Sequence, residues 1–114
     1  MNRQIKFRVW HKKSKEWCGT IGLNETISHN ELEYDTDDLV FVQYTGCHDS
    51  SNKEIYEGDI VQYNNGDVIR IGYIEFMSGI FFLNYNDETD EELGYLLVSN
   101  LKVIGNKFEH KELI

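Results

Sequence analysis

The segment KEIYEGDIVQYNNGDVIRIGYIEF, residues 53–76, predicts the centre of the fold. Ile60–Tyr63 is apolar and rich in β-branched residues, which is typical of a strand. The following Asn64–Asp67 predicts a hairpin, because Asn and Gly tolerate the positive φ of a type I′ turn. Val68–Phe76 then predicts a long returning strand, in which Gly72 marks a bulge or a sharp coil. The turns of a small β-barrel are sufficient to explain the Gly-Asp and Asn-Gly pairs of this segment, without a functional site.

The flanking sequence continues the β pattern. Gln4–Val9 alternates strictly, with Ile5, Phe7 and Val9 on one face, and predicts a half-buried strand whose outer face is basic. Leu39–Tyr44 is almost continuously apolar, which favours a strand covered on both faces. Further strands are predicted at Glu16–Cys18, Glu31–Tyr34, Ile80–Tyr85, Leu93–Val98 and Lys102–Asn106, with an acidic turn at Asp35–Asp38, a helical turn at Ser99–Leu101 and a short or frayed helix at Phe108–Ile114.

These elements predict a mainly β protein. The C-terminal half, residues 53–114, is expected to form a small SH3-like barrel with an acidic loop and a short tail, and residues 1–52 an N-terminal β-strand or hairpin extension. The polar loop His48–Lys53 is the expected boundary. The chain contains no Ala and no Pro, which agrees with a strand-rich fold because Ala is the best helix former.

Charge is unevenly distributed along the chain. The net charge is −9, and it divides into +5 for residues 1–20 (six basic, one acidic) and −14 for residues 21–114 (five basic, nineteen acidic). The strong negative charge of residues 21–114 repels phosphate backbones, which disfavours general nucleic-acid binding. The basic arm is expected to meet an acidic surface of its own chain or of a neighbouring chain. The alternative is that the acidic surface serves solubility alone.

Four stretches of the chain resemble the YopX family of small phage and prophage proteins, found mostly in Gram-positive bacteria. They are RQIKFRVW at 3–10, VQYTG at 42–46, KEIYEGDIV at 53–61 and VIGNKFEHKELI at 103–114. The resemblance implies a β-rich fold whose C-terminal part is an SH3-like barrel, and it implies no reaction, cofactor or catalytic residue. The sequence departs from the family pattern at His11, where Asp is common, and at Cys47-His48.

The sequence predicts no catalytic, cofactor or metal site, and therefore a protein that is not an enzyme. The four His are scattered, and neither acidic loop has the Gly and Glu of a calcium loop. Cys47, His48 and Asp49 are consecutive, so their side chains diverge in an extended chain and do not form a triad. No phosphate-binding glycine pattern is present.

The compartment expected from the sequence is the cytoplasm of a bacterial host. No apolar run reaches the ~20 residues of a membrane-spanning helix, and the N-terminus lacks the apolar core of a signal peptide. Cys18 and Cys47 are expected to be free thiols, with a disulfide between them as the less favoured alternative.

The segment around Tyr56 carries Glu54, Glu57 and Asp59, which could form an acid–base pair if burial separated their pKa values. We favour a structural role in which Asp59 binds backbone N–H groups at a turn. Tyr56, Tyr63 and Tyr85 are the rings expected to be exposed for binding. The full candidate interaction surface comprises Lys6, Arg8, Lys12, Lys13, Tyr56, Tyr63, Tyr85, Asp87, Glu88, Asp90 and Glu91.

Three functions remain open on this basis. The first is a non-enzymatic phage or prophage accessory protein that acts as a protein-interaction module and forms a homo-oligomer. The second is an acidic nucleic-acid mimic, with its charge at residues 35–38 and 86–92, that inhibits a host or phage nucleic-acid-binding protein. The third is direct nucleic-acid binding through the basic first strand and turn, with Lys6, Arg8, Lys12, Lys13 and Lys15.

Overall fold

The computed structural model describes residues 4–22 and 36–114, and within them the fold is mainly β, as predicted. The regular elements in this part of the chain are strands and short 3-10 turns, with no α-helix. The strands are β1 (Lys6–His11), β2 (Glu16–Gly22), β3 (Leu39–His48), β4 (Glu54–Tyr56), β5 (Asp59–Asn64), β6 (Ile69–Met77), β7 (Ile80–Asn84), β8 (Asp90–Glu92) and β9 (Leu101–Asn106). The 3-10 turns are Thr36–Asp38, Leu93–Tyr95, Val98–Asn100 and Lys111–Leu113.

The strands form two antiparallel sheets, one of order β2-β1-β3-β4 and one of order β8-β7-β6-β5-β9. The SH3-like barrel is not confirmed, because neither sheet closes on itself. The division of the chain between residues 52 and 53 stays a prediction. β4, which follows that point, hydrogen-bonds to β3, so the first sheet includes residues from both sides of it.

The main hydrophobic core lies on one face of the five-stranded sheet. Alternation places Val61 of β5, Ile74 of β6, and Phe81 and Leu83 of β7 on this inner face, where they pack with Ile55 of β4. The opposite, outer face of β6 carries Ile69, Ile71, Tyr73, Glu75 and Met77, and three of these five residues are exposed. One face of the sheet is therefore buried and the other is partly open.

The hairpin predicted at Asn64–Asp67 is present, but its turn differs from the expected type. Asn64 pairs with Ile69, so the loop has four residues rather than two. The Asn65 side-chain oxygen accepts hydrogen bonds from the N–H groups of Asp67 (3.0 Å) and Val68 (2.9 Å), and these local bonds support the longer loop. A two-residue turn with both φ values positive occurs instead at Ser78 and Gly79, between β6 and β7.

Gly72 is not the site of a bulge. It pairs in regular register with Val61, and the irregularity lies on the other side of β5, between Ile60 and Val61 where they meet β9. A Cβ atom on Gly72 would lie 2.4 Å from the backbone oxygen of Asn84. Glycine is required there because the backbone of β7 approaches closely. Close approach of another backbone is a known reason for glycine inside a strand.

The prediction of a strand at Leu93–Val98 is wrong. The edge strand β8 comes earlier, at the acidic residues Asp90–Glu92, and Leu93–Tyr95 is a 3-10 turn whose Leu93 is buried. The helical turn expected at Ser99–Leu101 is confirmed, one residue earlier, as Val98–Asn100. The strand predicted at Glu31–Tyr34 lies outside the described residues.

Candidate functional site

The two sheets are joined by an ion pair between the first strand and the Gly-Asp turn. Arg8 of β1 places Nη2 2.8 Å from Oδ1 of Asp59, the first residue of β5. The other oxygen of Asp59 accepts the backbone N–H of Tyr56 at 2.8 Å, which is the structural role predicted for this residue. The Asp59 side chain is 2% exposed and that of Arg8 is 22% exposed. The basic arm therefore meets an acidic residue of its own chain.

Two aromatic rings enclose the Arg8 guanidinium. Its central carbon lies 3.9 Å from the ring centroid of Trp17 and 4.8 Å from that of Tyr56, within the range of cation–π attraction. Burial raises the pKa of Asp59, even though the Tyr56 N–H and Arg8 both favour its charged form. The desolvation cost thus outweighs the attraction, as is common for buried ion pairs, and the pair fixes the position of β1 more than it adds stability.

A second ion pair lies two residues earlier on β1. Lys6 Nζ lies 2.5 Å from Glu54 Oε2, and the hydrogen bond from Lys6 lowers the pKa of Glu54. The Tyr56 hydroxyl donates to the other Glu54 oxygen at 3.1 Å, and burial together with this bond raises the pKa of Tyr56 to about 12. Glu54, Tyr56 and Asp59 of the KEIYEGD stretch therefore fasten the basic strand to the rest of the molecule.

The C-terminal tail closes the same junction. The Phe108 ring stacks on Trp10 with a centroid distance of 5.5 Å, and it meets Trp17 edge-on at 5.7 Å. Trp17 Nε1 donates to Glu109 Oε1 at 2.7 Å. Residues from β1, β2 and the tail thus form one aromatic cluster beside the Arg8–Asp59 pair.

The sequence profile of the YopX protein family matches residues 18–114, which is most of the chain. The chain belongs to the YopX family. Of the four stretches that carry the resemblance, only RQIKFRVW at 3–10 lies outside the matched range. No protein among curated, characterised proteins matches the sequence.

Two solved structures share the fold of this YopX-family chain. Protein EF1440 from Enterococcus faecalis has 23% sequence identity and a TM-score of 0.66, with 96% of each chain covered. Protein yopX from Bacillus subtilis has 17% identity and a TM-score of 0.62, with 100% of this chain and 99% of that chain covered. At these identities the likeness concerns the fold alone.

The basic residues of the YopX-family arm divide into two groups. Lys6 and Arg8 are engaged by Glu54 and Asp59, so their charges are neutralised within the chain. On the turn between β1 and β2, Lys13 lies 3.5 Å from Asp38 but is largely exposed. Lys12 and Lys15 are exposed, and neither pairs with a carboxylate of the described residues. The lysines of the turn, rather than those of the strand, remain available for binding.

The three tyrosines expected on the surface are mostly inside. Tyr56 is buried at the junction and Tyr85 in the main core, and Tyr63 is half-buried against that core. The Tyr85 hydroxyl donates to Glu91 at 2.5 Å, and burial together with this bond raises its pKa strongly. The expectation of exposure is wrong for Tyr56 and Tyr85, because both hydroxyls find carboxylate partners that permit their burial.

The acidic candidates lie on the loop before β8 and on β8 itself, all of them exposed. Asp87 pairs with Arg70 at 3.1 Å, and Arg70 in turn covers the Tyr85 ring at 3.6 Å. The side chains of Glu88 and Asp90 make no hydrogen bond or ion pair within the described part of the chain. The structure brings Asp87, Glu88, Asp90 and Glu91 together at one edge of the five-stranded sheet, away from Lys6 and Arg8 on the other sheet.

Within residues 4–22 and 36–114, the structure groups no three His, Cys, Asp or Glu side chains in an arrangement that could hold a metal ion. Cys18 is exposed on β2 and Cys47 is half-buried, both as free thiols in the structure. Burial and the nearby Glu16 charge raise the pKa of Cys18. No helix in the described residues is long and apolar enough to span a membrane.

Asp49 has a structural role that the sequence analysis missed. Its side chain is buried and accepts three backbone N–H groups, those of Ser51 (2.8 Å), Lys53 (2.9 Å) and Val103 (2.9 Å). These bonds hold the loop after β3 against β9. Burial by itself would raise the pKa of Asp49, but the three N–H donors lower it overall. A polar loop that begins with Asp is the sequence signal for such bonds.

Proposed function

We propose that this YopX-family chain is a non-enzymatic phage or prophage accessory protein that acts as an interaction module in the bacterial cytoplasm and pairs with a second copy of itself. The observation that carries the proposal is the apolar outer face of the β6–β7 hairpin. Ile69 is 58% exposed and Ile71 40% exposed near the start of β6, and Met77 and Ile80 are exposed at the far end of the hairpin. Several exposed large apolar side chains on one sheet face are typical of an interaction surface.

Sheet register places these residues on one face of the hairpin, in two groups with Tyr73 and Glu75 between them. Ile69, Ile71 and Met77 lie on one face of β6, and the pairing of Met77 with Ile80 places Ile80 on that same face of β7. The pairing of Glu75 with Phe82 adds the half-buried Phe82 ring between them. We call the patch formed by Ile69, Ile71, Met77, Ile80 and Phe82 the apolar face.

The charges at the rim of the apolar face favour a second copy as its occupant. Glu75 lies on this face of β6, and Lys102 lies on the same face through its pairing with Gln62 and that of Gln62 with Ile71. Asp90 and Glu92 of β8 lie on this face as well, through the pairings of Asn84 with Asp90 and of Phe82 with Glu92, so the strands bring three carboxylates and one lysine to it. In a two-fold arrangement Glu75 of one copy can approach Lys102 of the other, so the charges of the face can pair across the axis.

The variant Ile69→Thr/Ile71→Thr tests this surface. Threonine keeps the β-branched shape that suits a strand but removes apolar area. In a two-fold interface each substitution counts twice, so we expect the dimer to weaken by at least about a hundredfold in sedimentation equilibrium. The thermal unfolding of the monomer should change little, because both side chains are exposed.

The matched control is Leu97→Thr/Val98→Thr. These side chains are 65% and 41% exposed, close to the values for Ile69 and Ile71, but they lie on the turn before β9. The control should dimerise like the unmodified protein. Equal dimerisation of the Ile69→Thr/Ile71→Thr variant would place the interface elsewhere.

A second candidate function, nucleic-acid mimicry, is favoured by the acidic edge at β8. Glu88 and Asp90 project from this edge without partners in the described residues, while Arg70 and Tyr85 hold their neighbours Asp87 and Glu91 in place. The variant Glu88→Gln/Asp90→Asn removes two charges and leaves those contacts intact. In pull-downs from nuclease-treated host lysate, a nucleic-acid-binding partner should be lost from this variant. Retention of every partner would remove mimicry from consideration.

A further inference from the structure

Two adjoining cavities flank the C-terminal tail, and both are lined by Phe108 and Lys111. One has a volume of about 420 Å³ and is also lined by Trp10, Lys12, Lys15 and Val40. The other has a volume of about 610 Å³ and includes Tyr73, Glu75 and Lys107 in its lining. We call the two together the tail groove. Each is within the size range of clefts that hold a few side chains or a small ligand.

The tail groove concentrates positive charge on an acidic molecule. Four of the eleven Lys and Arg residues of the chain line it, against a single carboxylate side chain, that of Glu75. The ion pairs found among the described residues use Lys6, Arg8, Lys13 and Arg70, so no described carboxylate neutralises the four groove lysines. On a molecule of net charge −9, four lysines without carboxylate partners favour the approach of an anion here.

The aromatic residues of the groove favour apolar contact over base stacking. Trp10 is buried, and its ring is stacked against Phe108 with an interplanar angle of 28°. Trp17 meets both rings edge-on, and its own face is covered by Arg8. Single-stranded nucleic acids need free ring faces on which bases can stack. The groove instead offers a partly apolar floor, with Val40 and Phe108, under a rim of lysines.

We propose that the tail groove binds an acidic peptide segment of a partner protein, in which carboxylates alternate with large apolar side chains. The carboxylates pair with Lys12, Lys15, Lys107 and Lys111, and an apolar side chain packs on Phe108 and Val40. This site shares Glu75 with the rim of the apolar face, but its proposed ligand is a peptide of another protein and not a second copy of the chain. It also gives a role to the basic turn after β1 that the pairing of Lys6 and Arg8 leaves unexplained.

The test is fluorescence anisotropy with three labelled probes. They are a short peptide of glutamate, leucine and tyrosine, the same peptide with glutamine in place of glutamate, and a single-stranded oligothymidine. The glutamate peptide should bind the unmodified protein, and its affinity should fall as salt rises. Binding to the Lys12→Glu/Lys111→Glu variant should weaken by at least about tenfold, because two attractive contacts become repulsive.

The matched control is Lys53→Glu/Tyr95→Glu/Ser99→Glu, which has the same net charge but changes exposed residues outside both the groove and the apolar face. It should bind the glutamate peptide within about twofold of the unmodified protein, as expected for distant exposed charges. If Lys12→Glu/Lys111→Glu unfolds, the milder Lys12→Gln/Lys111→Gln takes its place. The proposal is overturned by equal loss in the control, by no binding of the glutamate peptide, or by tighter binding of the oligothymidine.

Discussion

At the scale of single residues, Arg8 and Asp59 decide where the basic strand lies. Asp59 is almost fully enclosed, so removal of its cation leaves a buried carboxylate without a partner. We expect Arg8→Met to lower the free energy of unfolding by about 2 to 3 kcal/mol, below the full cost of breaking a buried pair because Arg8 is partly exposed. Denaturant unfolding measures this value.

The companion variant Arg8→Met/Asp59→Asn separates the pair from its surroundings. Asparagine retains an oxygen that can accept the Tyr56 N–H, but it carries no charge. The double variant should therefore recover part of the stability that Arg8→Met loses. Losses that simply add would show that the two side chains do not interact energetically.

The Asp49 carboxylate is expected to make the free energy of unfolding depend on pH. Its pKa in the folded protein lies below the ordinary value of 3.8, so its stabilising effect is fully present above that value and is lost as pH falls through the folded pKa. We expect Asp49→Asn to cost about 1 to 3 kcal/mol at neutral pH, because amide hydrogens then face backbone donors. The difference from the unmodified protein, measured by denaturant unfolding, should shrink in acid.

An exposed control keeps the Asp49 result specific. Asp67 lies on the hairpin loop, and the same Asp-to-Asn change there should alter stability by less than about 0.5 kcal/mol. A loss for Asp49→Asn that stays constant into acid would contradict the assigned role of its charge.

At the scale of elements, the approach of β7 to Gly72 limits what the centre of the sheet tolerates. Gly72→Ala would bring Cβ to 2.4 Å from the Asn84 backbone oxygen, so a strand must shift. We expect a loss of about 1 to 3 kcal/mol in denaturant unfolding. Gly94→Ala is the matched control, because no atom lies within 4 Å of its Cβ position. Equal effects of the two substitutions would refute the close approach.

Local pattern predicted most of the elements but little of their assembly. The alternation of Gln4–Val9 and the apolar run at Leu39–Tyr44 predicted β1 and β3, since a side-chain period of two is visible in the sequence. Leu93 misled the strand prediction, because a 3-10 turn can bury one apolar residue as well as a strand can. The open sheets depend on pairings between distant residues, which periodicity does not encode.

At the candidate site, too, the sequence predicted local contacts but not contacts between distant residues. The Asp59 turn was predicted, because Asp bonds to nearby backbone groups are local. The contacts of Arg8 with Asp59 and of Trp10 with Phe108 join residues far apart in the chain, and no sequence spacing predicts them. Tyr56 and Tyr85 were expected outside because their carboxylate partners cannot be read from the sequence.

At the scale of the whole molecule, two forces oppose each other in self-association. The net charge of −9 makes two copies repel, whereas the apolar face draws them together. Salt screens the repulsion, with a Debye length of about 10 Å at 0.1 M, and leaves the apolar attraction in place. Dimerisation should therefore strengthen as salt rises, while binding of an acidic peptide in the tail groove should weaken.

Sedimentation equilibrium of the unmodified protein at micromolar concentration, in low and in physiological salt, measures self-association through the apolar face. We expect a dimer in physiological salt and a shift towards monomer in low salt, because the apolar face then works against unscreened repulsion. A sharp monomer under both conditions would contradict self-association, and a dimer that dissociates as salt rises would show that charge pairing, rather than the apolar face, holds it together.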